Sequence, residues 1–252
     1  MNSFCKKRSN NGQALIVTSL IIALLLISTI CYVLETEKDT ISLQSTTEID
    51  LSAIKASIKN TLISALANIS NGMHACMGGR DVLMKDLTML SNTTHAHSYD
   101  AECELSFTLL NSSLYQDGTW INWTHPGFGV SSAYASFAIN VSGSTANYFT
   151  AYQMNITTAL RIEGVYTNES TEKTVNINCT IYDENGPAPA AKINIFYQNQ
   201  TDGSWLSVGA PAPYGNGTYA ISFVANSLGP VKVSAQVTDI RNIFVMANTT
   251  CT

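Results

Sequence analysis

Charge is what this chain has least of. Asp, Glu, Lys and Arg make up 12% of its 252 residues, about half the usual share, so ion pairs cannot be what keeps most of its surface wet. The formal charge is −5, and the +3 of Lys6, Lys7 and Arg8 leaves −8 on the chain beyond Val33. That sign argues against nucleic acid as a partner. Catalytic signatures are missing as well. There is no G-x-S-x-G, no H-E-x-x-H, no phosphate-binding loop and no glycine-rich strand-to-helix turn, which removes the chemistries those motifs serve. His125, beside Pro126, has no nucleophile marked out for it. The chain reads as a non-enzyme that needs no cofactor and no metal.

One long uncharged run stands out, the twenty residues from Ala14 to Val33. As a helix it covers ~30 Å, the thickness of a bilayer's hydrocarbon core. Basic residues precede it and Glu35, Glu37 and Asp39 follow, so the expectation is a single-pass membrane protein with its N-terminus inside and the rest extracellular. The run is longer than a secretory signal's apolar region and carries no A-x-A-like cleavage site, which favours retention.

Polar character comes from Asn, Ser and Thr. N-x-[ST] acceptors occur at Asn68, Asn92, Asn111, Asn122, Asn140, Asn155, Asn168, Asn178, Asn199, Asn216 and Asn248. Chance would place about four among the nineteen asparagines beyond Leu34. N-linked glycans are therefore expected, and strand alternation puts Asn140 and Asn178 on faces opposite the apolar residues. Cys5 and Cys31 belong to the leader and the span, whereas Cys76, Cys103, Cys179 and Cys251 lie outside. Four cysteines in an oxidising exterior predict two disulfides. Three pairings are open, and division by domain favours Cys76 with Cys103 and Cys179 with Cys251.

Periodicity divides the remainder. Leu51, Ile54, Ile58, Leu62, Ala65 and Ile69 form one helical stripe behind a Ser45–Glu48 capping box, and Asp81 opens a second helix with Leu83, Leu87 and Leu90 inward. Alternation then predicts strands at 105–109, 120–123, 133–141 and 148–157. Seven more follow at 160–166, 174–182, 192–197, 205–208, 218–224, 231–238 and 243–247. The expected fold class is α+β: a leader at 1–12, a transmembrane helix at 13–34, a helix-plus-antiparallel-sheet domain at 35–157, and an all-β sandwich at 158–252.

Few other groupings invite chemistry. His74, Cys76, His95, His97 and Cys103 carry zinc-type donors but match no closed ligand spacing, so loop histidines beside a disulfide are the plainer reading. Asp183, Glu184 and Asn185 form a turn before Gly186-Pro187 that needs no calcium. Trp120, Trp123, Phe128 and Tyr134 are candidates for a contact patch toward a subunit or a carbohydrate, with sheet packing as the alternative.

The N-terminus, with its basic residues, Gly12 and then Gln13-Ala-Leu-Ile-Val17, resembles the class III signal of archaeal type IV pilin-like proteins. The resemblance implies cleavage between Gly12 and Gln13, a helix able to build a filament core, a globular head, and an archaeal source. Val17 stands where many pilins carry a docking Glu. The C-terminal segment is similar to Ig-like surface repeats in its Asp183–Pro187 turn and its Gly217-Thr-Tyr219 strand opening. Together these imply a glycosylated cell-surface structural or adhesive protein, a pilin subunit being one form of it. Its partners would be the membrane, like subunits or other surface proteins. The alternative is a non-polymerising single-pass protein whose ectodomain binds a carbohydrate or peptide.

Overall fold

A computed structural model describes residues 51–74, 81–96, 101–143, 147–169 and 172–251. Among the described residues two helices come first, α1 (Leu51–His74) and α2 (Asp81–Ala96). The apolar stripe on α1 is its buried face, with Ile58, Leu62, Ala65 and Ile69 all out of solvent, and Leu83 and Leu87 play that part on α2. Asp81 sits in the first turn of α2, where a negative charge suits the helix dipole.

Twelve strands follow. The first four are β1 (Ala101–Leu109), β2 (Thr119–Asn122), β3 (Phe128–Gly143) and β4 (Asn147–Glu169). Next come β5 (Glu172–Asp183), β6 (Gly186–Pro187), β7 (Ala190–Gln198) and β8 (Trp205–Gly209). The last four are β9 (Ala212–Pro213), β10 (Thr218–Asn226), β11 (Val231–Asp239) and β12 (Phe244–Cys251). They form an eight-stranded sheet of order β1-β3-β4-β5-β10-β9, with β2 on β3 and β6 on β5, and a four-stranded sheet of order β12-β11-β7-β8. The pairs within both sheets are antiparallel.

Strand alternation places the core. Phe137 and Ile139 of β3, Ile156, Leu160 and Ile162 of β4, and Val175, Ile177 and Cys179 of β5 are buried on one face of the large sheet. The helices cover that face over β1, β3 and the start of β4. The four-stranded sheet covers it over the end of β4 and β5, where Val233, Ala235, Val237, Val245 and Ala247 close a common core. The layers meet where the amide of Phe244 donates to Ser70 Oγ at 3.0 Å and Asn71 Nδ2 donates to the carbonyl of Asn242 at 2.9 Å.

The strands fall where alternation placed them, but the expected fold class is corrected. The described residues belong to one compact unit made mostly of strand. β4 runs unbroken through residues 157 and 158, pairing β3 along one edge and β5 along the other. The C-terminal strands therefore share a sheet with the helix-covered layer instead of closing a separate Ig-like sandwich behind a pilin-like head. The single-pass membrane assignment is corrected too: among the described residues no helix is long and apolar enough to cross a membrane. The physical reason is visible in α1, which carries Lys55, Lys59 and several Asn and Ser outside its buried stripe. Residues 1–12 and the expected span at 13–34 lie outside the described residues, and so do the processing pair Gly12 and Gln13.

Candidate functional site

No acceptor asparagine whose side chain is described lies in the core. Asn68, Asn92, Asn111, Asn140, Asn155, Asn178 and Asn216 are exposed, and Asn122, Asn199 and Asn248 are half-buried. Asn168 lies in β4, its side chain outside the description. Asn140, Asn155 and Asn178 share the face of the large sheet turned away from its core. One exposed ion pair, Arg161 to Glu163 at 2.7 Å, lies on that face. Its other polar groups include Asn, Ser and Thr.

The cysteines divide differently. Cys103 is buried on β1, and burial pushes its thiol up. Cys179 and Cys251 enter the same core from opposite sheets, as parity requires, and the structure holds both as thiols. Burial pushes Cys179 to about 12 and Cys251 to about 11. Cys76 and His97 lie outside the described residues. His95 is exposed at the end of α2, and His125 is exposed with Nδ1 3.0 Å from the Pro126 carbonyl oxygen. Among the described residues no group of three donors is arranged to hold a metal ion.

The four aromatics do not form one patch. Trp123 packs edge-on against Phe244 at 5.1 Å and donates from Nε1 to Ser131 Oγ at 3.1 Å, closing the seam between β3 and β12. Trp120 and Tyr134 lie on the opposite side of the sheet, each edge-on to Tyr115 at 5.9 and 5.8 Å. Phe128 meets His125 at 6.4 Å.

Two features escaped the sequence. The first is an ion cluster at the junction of the layers. Arg241 reaches Glu184 at 2.8 Å and Asp239 at 2.9 Å, and donates to the Thr157 carbonyl at 2.8 Å. Burial pulls its pKa down, but hydrogen bonds and charge from Glu184 and Asp239 outweigh this and hold it above the ordinary value. Asp183 Oδ1 accepts from the amide of Asn185 at 2.8 Å, so that acidic turn is held by its own backbone.

The second is a groove on the outer face of the four-stranded sheet. Cavities of about 340 and 330 Å³ both border Trp205 and Asn248. Gln198, Lys232 and Thr250 line one, and Phe196, Gln236 and Met246 the other. Thr124 and Pro126 wall the β12 side, where the amide of Gly127 donates to the carbonyl of Asn248 at 2.7 Å. Trp205 stays 47% exposed. Amides, hydroxyls, one open indole and the Lys232 ammonium, with no carboxylate in the lining, suit a polyhydroxylated ligand, neutral or acidic, better than a cationic one. Alternation gathers the members within the β7–β8 hairpin and within the β11–β12 hairpin, but the pairing of β7 with β11 that brings the two together is long-range.

No protein-family model, curated protein or solved structure matches the chain.

Proposed function

We propose that this chain is a glycosylated structural or adhesive protein that works by contact rather than catalysis, and that its contact face is the Trp205 groove. The observation that carries the reading is the groove's lining, an open indole among amides and hydroxyls with the Lys232 ammonium beside them and no carboxylate. The ligand class is a saccharide. It comes either from a partner or from the chain's own Asn248, whose acceptor side chain borders both cavities.

Glycopeptide mass mapping combined with binding to an array of neutral and acidic oligosaccharides tests this in wild type, Trp205→Ala and Asn248→Gln. Binding by wild type, weakened about tenfold by Trp205→Ala, supports a partner's sugar. An occupied Asn248, with binding seen only after Asn248→Gln, supports the chain's own glycan as occupant. If neither chain binds and no acceptor is occupied, the reading fails.

A further inference from the structure

We infer that the free edge of β4 is a self-pairing interface through which two copies of this chain join their large sheets. β5 begins to pair with β4 only at Thr158, so residues 147–157 have β3 on one side and no strand among the described residues on the other. Which backbone groups face outward follows from parity. The amide of Ile162 donates to Gly127 on the β3 side at 2.9 Å, whereas the amide of Thr157 donates to Glu184 at 3.3 Å and its carbonyl accepts from Arg241. Even residues of β4 therefore turn toward β3 and odd residues toward the open edge. Glu184 and Arg241 finish the edge at Thr157. Asn147, Phe149, Ala151, Gln153 and Asn155 present their amides and carbonyls beyond it.

Such edges template pairing with another chain, and proteins usually blunt them with charge, proline, brevity or cover. The other edges here are blunted. β1 bears Glu102 and Glu104 and is tied to α2 by the bond from Ser91 Oγ to the Leu105 carbonyl. β8 has five residues and β9 two, and beyond β9 the edge of β10 turns only Ser222, Val224 and Asn226 outward. The β4 stretch Asn147-Tyr-Phe-Thr-Ala-Tyr-Gln-Met-Asn155 has neither charge nor proline, and Phe149 is 67% exposed.

A second copy is the occupant this edge fits. With a two-fold axis at Ala151, all five outward residues pair: Ala151 with itself, Phe149 with Gln153, and Asn147 with Asn155. The paired strand residues carry no charge, and the Nζ of Lys55 lies 5.3 Å from the Tyr152 ring centroid on the helix side. On the helix side the same register sets Tyr148 opposite Met154, a favourable sulfur–aromatic pair. It also sets Thr150 opposite Tyr152, whose Oη is buried without a partner among the described residues. This inference stands whether or not the saccharide reading does, because it concerns a different strand.

Sedimentation equilibrium of the full chain, with Ala151→Pro and Phe149→Lys beside it, is the test. Proline at an edge removes one outward amide while leaving the bonds to β3 intact. Wild type is expected to dimerise, and each variant to weaken the dimer at least tenfold with an unchanged circular dichroism spectrum and melting temperature. A wild type that stays monomeric, alone or while capturing a strand of another protein, overturns the inference. So does a dimer that both folded variants retain. Should Ala151→Pro lose its fold, Phe149→Lys decides, since it leaves the backbone untouched.

Discussion

The two halves of the large sheet bury the same face of the same strands beneath different roofs. Over β1, β3 and the first part of β4 the cover is α1 and α2, and its fully buried side chains include Leu62, Leu66, Leu83 and Leu87. Over the end of β4, β5 and β10 the cover is a second sheet that offers Val233, Ala235, Val237 and Val245. Unbranched-at-Cβ leucine suits a helix and β-branched residues suit a pleated surface. The contrast teaches that the period of the apolar residues decides the roof, since Ile58 and Ile69 are β-branched yet buried on α1, while alternation in the shared strands decides which face is roofed. The parity of β4 does not change at the crossing: Ile156, Thr158, Leu160 and Ile162 are all buried there.

Removing the ion cluster at the crossing should have the largest effect. Arg241→Met takes the cation from Asp239, which is 2% exposed and keeps as donors Thr158 Oγ1 and the amides of residues 241 and 243, and the expected loss is about 3–5 kcal/mol in urea unfolding. Single substitutions in each half sharpen the contrast further. Leu66→Ala under the helices and Ile177→Ala in the sandwich should each cost about 2–5 kcal/mol. Because the halves share β4, each should lower one common transition, seen alike by far-ultraviolet and near-ultraviolet circular dichroism. Two separated transitions would mean that the halves unfold independently.

Next comes the close approach of β3 to β12. A Cβ at Gly129 would meet the carbonyl oxygen of Met246 at 1.9 Å. Gly129→Ala should cost about 1–3 kcal/mol and weaken protection of the Gly127 amide in hydrogen exchange. The smallest effect belongs to the sandwich thiols. Their folded pKa values, about 12 and 11, exceed the ordinary 9.0, so their stabilisation is whole below pH 9 and is lost as pH rises toward 11–12. Near pH 9.5 each reduced thiol should cost about 1 kcal/mol. Oxidation to a Cys179–Cys251 disulfide would remove that slope, which melting curves with and without reductant can read.

Much of this was legible in the chain. The stripe from Leu51 to Ile69 and the alternation about Asn140 and Asn178 depend on local period alone, and both lie as the pattern requires. What local period does not carry is pairing. The segments 148–157 and 160–166 read as two strands on either side of an expected domain boundary after Thr157, with polar Thr158 in the gap. In the fold Thr158 Oγ1 donates to Asp239 at 2.8 Å, so a buried hydrogen bond makes a polar residue acceptable mid-strand. The Trp205 groove was hidden for a related reason. Its members come from four strands whose order, β12-β11-β7-β8, no short-range signal records.

The uninterrupted run of β4 bears on how the molecule carries load. Its 23 residues extend over about 75 Å. The helix-covered and sheet-covered ends of the large sheet are thus joined by one continuous strand, with no linker between them. A pull applied along this strand would load in shear the β3 ladder over residues 147–161 and the β5 ladder over residues 158–169.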